Sequence, residues 1–206
     1  MRTAISIAFV FVSLILLLGC TPESHRDEAT HISPIKGNQT ILDELSRLGS
    51  LASQQNITLD DFAQVDQMTA PDSDATDELG EIKIMVKYNE YEHALHGLGF
   101  LSSYVETGEH VICPGHSLSH YYVFMRHGEE DLAKDNLAEA KKNVDAWIPL
   151  AEAYDKQYPS GKDINAVIAR VQQDIKNIDA GNSTAGDDEI RFLVTDALCI
   201  EGAPHE

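Results

Sequence analysis

Basic residues are scarce in this chain. Its 206 residues include 15 Lys and Arg against 34 Asp and Glu, a formal net charge of −19 with histidine neutral. Binding nucleic acid through phosphate neutralisation needs a basic face, so that class is excluded. Adhesion to anionic lipid through basic clusters is disfavoured for the same reason. No Gly-x-Ser-x-Gly, phosphate loop or dinucleotide fingerprint occurs. No segment alternates apolar and polar residues convincingly enough to read as a strand. Cysteine is limited to Cys20, Cys113 and Cys199, and no Cys-x-x-Cys-His is present, which excludes the usual covalent attachment of c-type haem. Disorder throughout is also excluded, because the apolar residues recur at regular spacing over most of the chain and can bury a core.

The longest apolar run, Ala4 to Leu18, is interrupted only by Ser6 and Ser13. About fifteen residues fall short of the roughly 20 that span a bilayer as a helix. After Met1-Arg2 the run fits the apolar core of a secretory signal. It ends in Leu17-Leu18-Gly19-Cys20, which resembles the lipobox of prokaryotic lipoproteins. That resemblance implies removal of residues 1–19 and diacylation of Cys20. It places the mature chain on the extracytoplasmic side of a membrane in the cell envelope. Thr21 follows the cysteine, so the aspartate that retains many Gram-negative lipoproteins at the inner membrane is missing. Loss of Arg2 with the signal moves the formal charge from −19 to −20.

Residues 20–37 are polar and irregular and read as a tether. Residues 38–206 read as one helical domain. Ile41, Leu45, Leu48 and Ala52 follow a cap at Thr40, and Thr58-Leu-Asp-Asp opens a short helix through Phe62, Val65 and Met68. Two long helices are expected, from Thr76 to about Val105 and from Ser117 to about Tyr158. Gly128 weakens the second and Pro149 kinks or divides it. Asp163 to Ile178 and Asp187 to Cys199 complete the pattern. The reading is all-α, a bundle of five or six helices with a long central antiparallel hairpin. Cys113 and Cys199, an even pair outside the cytoplasm, are expected to form a disulfide, with two buried thiols or a metal-ligating Cys113 as alternatives. Asn38, Asn56 and Asn182 stand in glycosylation patterns too common to discriminate.

The informative feature is the placing of histidine. Nine are present, and six lie between His93 and His127. His93 and His96 are spaced i, i+3, and His116 and His120 i, i+4. His127 shares the face of His116 and His120, and His110 sits in the intervening turn. If the hairpin turns near His110, His127 comes level with His93 and His96. These three would form one site, with Glu90, Glu92 or Glu130 nearby. His116 and His120 would form another, near Cys113 or Tyr104. Imidazoles at i, i+4 can chelate one ion, and neutral imidazole suits Zn, Cu, Ni and Fe. Opposed histidines also suit a non-covalent haem. The same residues equally fit a solvated face or a buried polar network with the hairpin tyrosines.

Known patterns match only in fragments. His116-x-x-x-His120 resembles half of a haemerythrin-like set, but no His-x-x-x-Glu accompanies it on the preceding helix. Glu90-x-x-His93 resembles one of the two Glu-x-x-His pairs of ferritin-like di-iron bundles, and the other, Glu28-x-x-His31, falls in the tether. Asp72-x-Asp74-x-x-Asp77 resembles the start of a calcium loop, yet Asp77 stands where Gly is needed and Lys83 where the closing Glu is needed. The acids from Asp74 to Glu81 read as a solvated helix start.

The expectation is a lipid-anchored protein that binds a transition metal or haem through His93, His96, His116, His120 and His127, for storage or delivery rather than catalysis. The alternatives are a structural or protein-interaction lipoprotein without a ligand, and a metal-dependent enzyme. The lipobox reading carries its own test. Cells fed labelled palmitate should label the wild-type chain, and Cys20→Ala should abolish the label. Label that survives the substitution would refute the assignment.

Overall fold

The expected helices form where the sequence supplies caps and apolar periodicity, but their ends fall differently. In the computed structural model, residues 37–69, 74–108, 111–159, 161–195, 197 and 199–201 are described. They all belong to one unit, residues 33–206. The lipobox with Cys20, the tether to residue 36 and His110 lie outside the described residues. The described chain is mostly helical. None of its helices is long and apolar enough to cross a membrane.

Helix α1 spans Gln39–Ser53 and is capped by Asn38, whose side-chain oxygen accepts from the Thr40 and Ile41 amides. Asn is among the strongest capping residues, and it takes the place expected of Thr40. The helix buries Ile41, Leu45, Leu48 and Ala52. At Thr58 the backbone amide donates to Asp61 Oδ2 at 2.8 Å, the expected capping contact. A 3₁₀ turn, Leu59–Phe62, follows and leads into the short helix α2, Ala63–Asp66.

The first long helix expected, 76–105, is two helices. α3 covers Asp74–Lys87 and α4 covers Tyr91–Thr107. Between them Asn89 takes φ +61°, a left-handed conformation that Asn tolerates better than most residues. The Glu90 amide then donates back to the Met85 carbonyl at 2.9 Å, closing the turn. The second, 117–158, is also two. α5 covers Pro114–His127 and α6 covers Glu130–Gln157. Gly128 ends α5 at φ +76°, and the Glu129 amide donates to the Phe124 carbonyl. This left-handed glycine stop ends the helix outright rather than weakening it. Pro149, by contrast, lies inside α6, which continues to Gln157.

Helix α7, Ile164–Asp179, is capped by Asp163 and buries Val167, Ile168, Val171 and Ile178. Helix α8, Asp187–Thr195, stops before Cys199, where an extension was expected. A minimal antiparallel pair replaces it, with β1 (Val111–Ile112) against β2 (Ile200–Glu201). Cys113 and Cys199 lie beside this pair at disulfide distance, with Cα atoms 4.4 Å apart. A bridge across 86 residues would stabilise the fold by about 4–5 kcal/mol in the chain-entropy account.

Helices α1 and α3 pack on α4, and α6 and α8 pack on α5, with α7 against α6. Trp147, Phe62 and Phe124 are among the largest fully buried side chains of the core. α3 and α4 meet α5 through side chains, and the polar cluster lies at this seam.

Two glycines give opposite expectations. A Cβ on Gly115, in the first turn of α5, would stand 2.3 Å from Ala197 Cβ and 2.7 Å from the Leu193 carbonyl oxygen. Gly99, within α4, has nothing near enough to obstruct a Cβ. Gly115→Ala should lose about 1–3 kcal/mol through overpacking. Gly99→Ala should gain about 0.5–1 kcal/mol from helix propensity. Urea denaturation midpoints should move in opposite directions.

Candidate metal centre

Helix α5 buries almost its whole length, His116 and His120 included. His120 is 1% exposed and His116 4%. An imidazole buried this deeply needs a partner for each nitrogen, because an unmet polar atom costs about 1–3 kcal/mol.

One nitrogen of each ring is provided for. His120 Nδ1 lies 2.7 Å from Glu81 Oε2, and Glu81 Oε1 accepts from Asn136 Nδ2 at 2.7 Å. His116 Nδ1 lies 3.1 Å from His96 Nδ1. The second nitrogens differ in their partners. His116 Nε2 is 3.3 Å from Glu78 Oε2, while His120 Nε2 and Glu78 Oε1 are buried without a hydrogen-bond partner. One ligand atom from each of Glu78, His116 and His120 lies within 4.8 Å of the other two. Ligand atoms about 2.1 Å from one tetrahedral ion stand about 3.4 Å apart, so an ion would draw in any pair that lies near that limit.

Helical spacing explains the arrangement. His116 and His120, four apart, lie one turn above the other, with ring centroids 4.0 Å apart. Phe100 of α4 stacks on His116 at 4.3 Å and fixes its plane. Glu78 and Glu81, three apart, point from α3 toward the same stretch of α5. Gly97 of α4 leaves room for Glu78, since a Cβ there would lie 2.9 Å from Glu78 Oε1 and 2.8 Å from Ile82 Cγ1.

Burial dominates the electrostatics. It pushes the Glu81 carboxyl up to about 7, against the hydrogen bond from Asn136. It drives His96 down to about 3, helped by the neighbouring His116, His120 and His93. It lowers His120 in the same direction. His96 and His120 are therefore neutral near pH 7 in the form suited to ligation or to orienting a ligand. In the tautomer that donates Nδ1–H to Glu81, His120 leaves the Nε2 lone pair for a cation.

The structure sorts the expected histidines differently from the hairpin register. His96 joins His116 and His120 rather than His93 and His127. His93 and His127 meet across Glu90, where His127 Nε2 is 2.7 Å from Oε1 and His93 Nδ1 is 3.3 Å from Oε2. Arg126 also approaches Glu90 Oε1 at 3.6 Å, and Tyr88 stacks on His127 at 4.2 Å. This second group is a carboxylate clasp with a cation already beside it. Cys113 is paired with Cys199 rather than placed among the ligands. Glu78 and Glu81, expected on a solvated helix start, have side chains only 14% and 18% exposed. Their i, i+3 spacing was the available signal.

Comparison with protein-family models, with curated proteins and with solved structures finds no match. The functional reading therefore rests on the chemistry of these side chains.

Two measurements follow. The close approach of His93 and the hydrogen bond with His127 hold the Glu90 carboxyl down at about 2. A carboxyl depressed on folding stabilises above its unfolded value near 4.5, and that contribution is lost as pH falls toward 2. Glu90→Gln should thus destabilise the protein at pH 7, and its difference from wild type should shrink between about pH 4.5 and 2. Gly97→Ala should displace Glu78 or Ile82 and cost about 1–3 kcal/mol in denaturant melts.

Proposed function

We propose that the protein binds one divalent transition-metal ion through Glu78, His116 and His120. The observation that carries this reading is the pair of atoms His120 Nε2 and Glu78 Oε1, buried without a hydrogen-bond partner on two members of one Glu78, His116 and His120 group. A cation supplies what both lack. Glu81 and His96 hold the far nitrogens of the two ligating rings, the outer contacts that orient metal-bound histidine. Two imidazoles and a carboxylate suit zinc, and also Cu, Ni or Fe(II). Haem is set aside, because rings 4.0 Å apart, with Phe100 against His116, leave no slot for a macrocycle between them.

In this reading the chain is a lipoprotein anchored through Cys20 on the extracytoplasmic side, where it holds or delivers the ion. The Cys113–Cys199 pair suits that compartment, since disulfides persist in oxidising surroundings. The acidic surface raises the local concentration of cations around the seam.

Metal analysis and thermal melts of the purified chain test the reading. An ion present at 100 times its Kd adds about 2.7 kcal/mol. For a domain of this size that corresponds to about 5–10 °C in Tm. Zinc should raise the Tm of wild type and of His127→Ala, and should leave Glu78→Gln and His120→Ala nearly unchanged. No co-purified metal, with no Tm response to zinc, copper or nickel, would favour the ligand-free interaction protein instead.

A further inference from the structure

The three ligands of the proposed centre leave a four-coordinate ion one short, and the surroundings bear on what fills the gap. Glu78 and His116 line a cleft of about 700 Å³, together with the orienting pair Glu81 and Asn136. That volume is in the range of small-molecule sites and is far more than one water needs. The walls have two characters. Ile84, Phe100, Leu101 and Tyr104 give an apolar and aromatic side. Asp77, Asp135 and Glu139 give an acidic side, opposed by the single cation Lys142.

We infer that the ion keeps one coordination position open toward this cleft, and that the cleft delivers to it a small neutral nitrogen donor of the imidazole class in preference to an anion. The inference rests on the metal reading above and adds the class of its exogenous ligand. Phe100, one face of which is already stacked on His116, and Tyr104 give the cleft an aromatic side, against which a flat ring is favoured. A neutral donor leaves the charge at the ion unaltered, while an anion, though drawn to the ion, also approaches the carboxylates of the acidic wall, which oppose it. A closed structural site would instead have its fourth ligand from the protein. Among the described residues no fourth His, Cys, Asp or Glu joins the three within the same 4.8 Å limit.

Cobalt(II) as the probe metal makes the open position visible, because its d–d bands respond to ligand exchange. The full-length chain is loaded with one equivalent and titrated with imidazole and, separately, with azide. Imidazole is expected to shift the bands, saturating at a concentration at least tenfold below that of azide. The double variant Asp135→Asn with Glu139→Gln is expected to tighten azide at least threefold and to leave imidazole within twofold of wild type. Bands that ignore imidazole overturn this inference and leave the metal centre standing. Azide binding that is equal to or tighter than imidazole, or unmoved by the double variant, overturns the preference assigned to the cleft. Absence of cobalt bands, with zinc giving no Tm shift, removes the metal reading itself.

Discussion

Two buried imidazoles on α5 set the requirement that the rest of the seam satisfies. Each ring has two nitrogens, and α5 leaves both rings almost wholly buried. The fold answers with Glu81 and Asn136 at one ring and His96 at the other. Glu78, a charged group that is itself mostly buried, meets His116 Nε2 and groups with His120. A hydrogen-bonded chain from His96 through His116 to Glu78 can satisfy His116 without a metal. No such chain reaches His120 Nε2 or Glu78 Oε1. Burying a carboxylate and an imidazole lone pair together is unfavourable unless something positive lies between them. That imbalance is the physical basis of the metal reading.

The scaffold positions these groups through turns rather than through length. A left-handed Asn89 folds α3 back along α4, which brings Glu78 and Glu81 within reach of α5. A left-handed Gly128 ends α5 immediately after His127 and lets α6 return along it, carrying Asn136 to Glu81. Two close approaches add to this. Gly97 admits the Glu78 carboxylate, and Gly115 admits the chain around Ala197 beside the cysteine pair. Local backbone chemistry thus decides which polar side chains share a site.

Much of this was legible in the sequence. The mostly helical character, the buried stripes of α1 and α7, the capping contact at Thr58 and the neighbourhood of Cys113 and Cys199 follow from periodicity, caps and cysteine count. His116 and His120 were recognisable as a pair because four residues make one helical turn. The partners were not. A single helix over 76–105 puts Glu78 far from α5, so its carboxylate looks solvated, and one Asn at positive φ reverses that conclusion. An Asn in a helical pattern does not announce a left-handed turn, whereas Gly128 could have been read as a stop. The hairpin register misplaced His96 relative to His116 for the same reason, since it assumed unbroken helices on both sides of the turn near His110. His93 and His127 were brought level by that register and do meet, but around Glu90 and next to Arg126 rather than around a vacant ligand set.

The claim on which the account depends is that two imidazoles of α5 and one carboxylate of α3 bind the same ion. Zinc K-edge X-ray absorption on the chain loaded with one equivalent of zinc addresses it directly. The account predicts four nitrogen or oxygen neighbours at about 2.0–2.1 Å, with the outer-shell scattering of two imidazole rings and no sulfur. A six-coordinate oxygen shell without imidazole scattering, the signature of hydrated zinc on an acidic surface, would contradict it.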